Sequence, residues 1–127
     1  MAVRWGVVAV VAIGLSEPVS AQSLDGQYVG TGSGHTIGPK GNASCPGIDA
    51  DVTVHGGKIT GEARRTVVTN HIVKPETSSL RGDVSSDGTV TMRMWNRSFP
   101  GTLGNGELSA TYTGNECEYQ FTLRRAG

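Results

Sequence analysis

From residue 48 onward the apolar side chains fall on every second position, and that period dictates strands rather than helices. In IDADVTV, Ile48, Ala50, Val52 and Val54 share one face while Asp49, Asp51 and Thr53 share the other, which describes a strand with one wet side. His55-Gly56-Gly57-Lys58 supplies a hairpin turn, and KITGEAR runs back with Ile59, Gly61 and Ala63 alternating against Lys58, Thr60 and Glu62. The same grammar recurs where SLRGDV and TVTMRMW flank Ser85–Gly88, and where GELSATYT and CEYQFTLRR flank Gly114-Asn115-Glu116. The turns are about 30 residues apart, but the hairpin sequences barely match, so a meander explains them without a repeat.

TVVTNHIV, Thr66 to Val73, reads as a further strand closed by Pro75, and SFPGTLGNG reads as a turn-rich connector. With the opening segment LDGQYVGTG the count is about seven or eight strands and no helix. Open edges on so many strands invite aggregation, so the chain must close on itself. The expected fold is all-β, a small antiparallel up-and-down barrel, because short turns give up-and-down order and strand glycines suit tight curvature. A two-sheet β-sandwich is the alternative.

The first residues stand apart from this pattern. One basic residue, Arg4, precedes an unbroken apolar run from Gly6 to Leu15, and Val19 and Ala21 set small residues where a signal peptidase cuts. The run is shorter than the roughly 20 residues that span a bilayer. Residues 1–21 are therefore expected to be a signal peptide, and residues 22–127 a single exported domain, periplasmic or secreted, with no membrane anchor after cleavage. Lys plus Arg and Asp plus Glu number 11 each, and this balance offers nothing to nucleic acid or an anionic membrane. The only two cysteines, Cys45 and Cys117, allow one pairing, and an oxidising compartment would make it.

The two ends of the exported part carry a resemblance. Leu24-Asp25-Gly26-Gln27-Tyr28 and Phe121-Thr122-Leu123-Arg124-Arg125 resemble the end motifs of calycin-type barrels: lipocalins, avidins and the bacterial inhibitors of secreted metalloproteases. In those families a Gly-x-Trp on the first strand packs near an arginine of the last strand and closes one barrel end. Tyr28 stands where the family has tryptophan. The resemblance covers about ten residues and implies an architecture, not a function.

Signals for catalysis are sparse. GTGSGHTIGPKG, Gly30 to Gly41, suggests a phosphate loop, but Pro39 occupies the position of the Walker glycine, Lys40 is followed by glycine, and no helix follows. GxSxG is not matched around Ser33, and His35, His55 and His71 lie on different segments with no metal-ligand spacing. Asp49 and Asp51 share an outward face and read as a solubility device. Arg81-Gly82-Asp83 lies inside an alternating strand rather than at a loop tip, and the sequons at Asn42 and Asn96 matter only in a eukaryotic secretory pathway. No nucleophile with a base, no metal set and no cofactor loop can be assembled, so the chain does not read as an enzyme and no cofactor is expected.

One constellation suggests recognition. In TVTMRMWNR, Val90, Met92 and Met94 alternate with Arg93, Trp95 and Arg97. With the methionines in the core, Trp95 lies outside between two arginines, where an indole stacks on a partner or is simply covered by the arginine stems. With the faces reversed, Trp95 lines a pocket. Tyr28, Tyr112 and Phe121 are the candidate barrel lining. These features favour a non-catalytic binding module, expected to be monomeric, that takes a small ligand in the barrel mouth or a macromolecular partner at its surface. An inhibitor of a secreted or envelope enzyme is the alternative. A pocket predicts a lined cavity, and an inhibitor predicts a solid core with a protruding loop.

Overall fold

The computed structural model describes residues 24–38 and 45–126. The signal peptide, its cleavage site after Ala21, Pro39, Lys40 and the sequon at Asn42 lie outside the described residues. Eight strands follow one another: β1 (Gly26–Thr36), β2 (Ile48–His55), β3 (Lys58–Thr69), β4 (Ile72–Val84), β5 (Thr89–Met94), β6 (Arg97–Gly104), β7 (Glu107–Thr113) and β8 (Cys117–Arg125). Each pairs antiparallel with the next, and β8 returns to β1, so the sheet is a closed up-and-down barrel. An eight-stranded barrel is just wide enough for its inward side chains to fill it or to admit one small ligand.

The inward faces are those that the alternation marks. Ile48, Ala50, Val52 and Val54 of β2, Ile59 and Ala63 of β3, and Val90, Met92 and Met94 of β5 are all buried, with the polar residues between them outside. On β1 the inward positions beyond Tyr28 are Gly30, Gly32 and Gly34, and their register partners on β8 are Leu123, Phe121 and Tyr119. A methyl group at Gly32 would stand 2.7 Å from the Phe121 ring, and one at Gly34 would stand 2.4 Å from that of Tyr119. The glycine-rich opening of the domain is therefore not a loop. It is a strand stripped of side chains so that three large residues of its neighbour can fill the barrel, and β1 continues through Thr36 where the sequence suggested an earlier end.

Two segments differ from expectation. TVVTNHIV is not one strand: Asn70 and His71, at φ 53° and 66°, form a two-residue turn, and Val68 pairs with Val73 across it. Pro75 does not close a strand but lies within β4 opposite Thr66. Counting along the ladder from the turn, the Pro75 nitrogen falls on the side away from β3, where no strand requires an N–H. SFPGTLG is not a connector but β6, with Phe99 and Leu103 buried and Asn105-Gly106 as its turn. Its ladder with β7 begins at Gly101, one residue after Pro100, whose nitrogen faces β7 with no hydrogen to donate.

The two ends of the barrel are unlike. At one, the turns are tied to the following strands: Val84 N–H donates to Gly57 O, Leu103 N–H to Gly88 O and Arg125 N–H to Gly106 O, all at 2.8–2.9 Å. Arg125 donates to the Tyr28 hydroxyl at 2.8 Å, and that hydroxyl donates to Leu24 O at 3.0 Å, which seals this end. The contact is one that the end motifs imply, and as geometry it assigns no family. At the other end a disulfide joins Cys45 to Cys117, Cα atoms 5.7 Å apart, and pins the loop before β2 to the start of β8.

Candidate functional site

The second end is an open mouth, and two features of the sequence keep it open. Beyond Arg64 strand β3 has no pairing with β2, and before Arg81 strand β4 has none with β5, so Arg65 to Glu76 form an arm whose two strands pair only with each other. Pro100 ends the β6–β7 ladder early, so Arg97 to Phe99 have no backbone pairing with β7. Together they frame a cavity of about 470 Å³, in the range that holds small organic ligands.

Its floor is aromatic. Tyr112 and Tyr119 line it and are 4% and 3% exposed; they face each other across β7 and β8 with ring centroids 6.2 Å apart. Phe99 meets Tyr112 edge to face at 5.1 Å, and Phe121 packs beneath at 6.3 Å from Phe99. Among the described residues neither Tyr112 nor Tyr119 has a hydrogen-bond partner for its hydroxyl. Both rings line the mouth, so its floor holds two polar groups that something entering it can satisfy. Burial pushes the Tyr119 phenol above its ordinary pKa, while the Arg65 guanidinium nearby pulls it back and Tyr112 adds to the rise.

The wall is built from Trp95 and two arginines. Trp95 leaves the β5 alternation as the first residue of a two-residue turn with Asn96, both at positive φ, so the methionines are core and Trp95 still lines the cavity. Its backbone N–H donates to Ser78 Oγ at 3.0 Å, which fixes the turn against the arm. The Arg65 guanidinium lies 4.1 Å from the indole centroid, and its Nε donates to Glu76 at 2.8 Å. Arg97 lines the mouth and donates to the Asn115 side-chain oxygen.

The candidate residues thus separate. Tyr112, Trp95 and Arg97 come together at the mouth, and Phe121 lies under them. Tyr28 points inward at the sealed end, and Arg93 points outward on β5 opposite Arg81. The cation on Trp95 is neither of the flanking arginines but Arg65, which is brought there by the length of the arm. Tyr119 was legible, since it alternates with Phe121 and Leu123 in CEYQFTLRR. Arg65 was not, because its position depends on how far β3 overshoots the barrel. His35 pairs with Glu118, His55 pairs with Asp25, and His71 sits at the arm's turn, so the three histidines do not meet. No family model, curated protein or solved structure matches the chain.

Proposed function

We propose that the protein is an exported, non-catalytic binding module whose barrel mouth takes one small ligand. The observation that carries this reading is the pair of tyrosines on the floor of a walled cavity, whose hydroxyls meet no protein partner among the described residues. An interior meant only to be packed would satisfy or omit such groups, since Phe for Tyr fills the same space at no polar cost. The disulfide supports export, because such bridges form and persist in oxidising compartments. A ligand-dependent melting screen tests the proposal: one ligand class raises the melting temperature of the wild type. Trp95→Ala abolishes that rise while its unliganded melting stays cooperative. A screen in which no class stabilises the protein, or in which Trp95→Ala leaves the rise intact, would remove the mouth from consideration.

Inhibition of a secreted or envelope enzyme is the second reading, and the arm is the observation that favours it. Val68, Ile72 and Val73 are 65%, 60% and 63% exposed at its tip. An apolar tip on a projecting hairpin is the shape that enters a cleft on another protein. Ile72→Asp with Val73→Asp, neither of which lines the cavity, would abolish inhibition of a target enzyme and leave ligand-induced stabilisation unchanged, which separates the two readings.

A further inference from the structure

Resting on the mouth as the binding site, we propose that its ligand is a planar aromatic carboxylate, held by Arg97 and the two floor tyrosines with its ring beside Trp95. The shape argument comes first. The cavity is walled by one indole and floored by two phenol rings, and flat apolar surfaces of that kind favour a ring that stacks or packs edge-on over a branched aliphatic body.

The charge argument is independent of the shape. Two arginines, Arg65 and Arg97, line the mouth against a single carboxylate, Glu116, on a chain whose formal charges cancel. Glu76 neutralises Arg65. Arg97 makes no ion pair among the described residues; the group it does contact is a neutral amide oxygen. Its fork can therefore meet a carboxylate without breaking a charged pair.

Hydrogen-bond polarity agrees with the charge. Guanidinium groups only donate, and a phenol hydroxyl donates readily to an anion, so the inward-facing polar groups of the mouth are predominantly donors. A carboxylate offers about four acceptor sites and no hydrogen, whereas a carboxamide of the same outline brings two hydrogens that compete with donors already present. The site therefore favours acid over amide at equal shape, because the amide carries no charge to meet Arg97 and its nitrogen cannot accept from the guanidinium.

Calorimetric titration at neutral pH with three probes tests the inference: 2-naphthoate, 2-naphthamide and cyclohexanecarboxylate. The expected result is that 2-naphthoate binds at least about tenfold more tightly than either of the others. In Arg97→Gln, whose side chain is exposed and whose melting should match the wild type, the advantage over 2-naphthamide falls to about twofold or less while the amide's own affinity is unchanged. Tyr119→Phe weakens the acid by about fivefold and keeps the ring contacts. Equal affinity for acid and amide, or for the aromatic and alicyclic acids, overturns the ligand class while leaving the mouth as a binding site. Binding of none of the three also overturns the class, and the mouth itself then stands or falls by the melting screen.

Discussion

At Gly30 a Cβ would stand 2.2 Å from the Thr122 carbonyl oxygen and 2.9 Å from Leu123 Cα, both backbone atoms that no rotamer change can move. Gly30→Ala should therefore cost about 3 kcal/mol or more in urea unfolding, at the upper end of overpacking effects. Gly104, around which a Cβ meets nothing within 4 Å, is the control, and Gly104→Ala should stay within about 0.5 kcal/mol. Asp87 makes a different kind of contribution. Its carboxylate accepts from Ser85 Oγ at 2.6 Å and from the Thr89 N–H at 3.0 Å, and these bonds hold its pKa at about 2 rather than 3.8. A depressed folded pKa stabilises above the unfolded value and is lost as pH falls through the folded one. The wild type should thus lose stability relative to Asp87→Asn between about pH 4 and pH 2, with a constant difference above that window; a parallel decline of both proteins would exclude the turn as its source.

The arm is the element whose physics departs most from the barrel. A two-stranded ribbon with no third strand is marginal in water, and Pro75 on its open edge discourages pairing with a neighbour. Amides of Val67 and Lys74 should exchange with solvent by local opening, far faster than those of Val52 and Leu123 on fully paired strands, in a hydrogen-exchange experiment. Uniform protection would mean that the arm is braced by contacts beyond its own ladder. Much of the remaining fold was legible in the sequence, because alternation reports burial directly: Ile48 to Val54 and Val90 to Met94 face as the pattern requires. Where it misled, local chemistry competed. Asn70-His71 carries a turn without the glycine that usually marks one. Pro100 and two flanking glycines hid β6, although a proline needs only one unpaired edge. The expected seven or eight strands include the observed eight because Thr66–Val73, read as one strand, belongs to β3 and β4 while β6 read as a connector. The mouth was legible only in part, since Tyr112, Trp95 and Arg97 were readable as candidates while their meeting depends on the register.

Across the whole molecule, one end is sealed by backbone and the other is braced by a covalent bond. Closing a loop across a sequence separation of 72 residues should stabilise the domain by about 4 kcal/mol in the chain-entropy description. Cys45→Ser with Cys117→Ser should lose most of that in urea unfolding, and because Pro46 and Cys117 line the cavity the same variant should bind ligand more weakly. The division between a packed interior and an open mouth is the central claim, and nuclear magnetic resonance tests it at residue resolution. When the ligand class that raises the melting temperature is titrated in, the largest shifts should fall on the Trp95 indole, on Arg65 to Val68 and on Gly114 to Cys117, while the sealed end around Gly57, Gly88 and Gly106 stays unchanged. Shifts confined to Thr69–Ile72 at the arm tip, or centred on the sealed end, would contradict it.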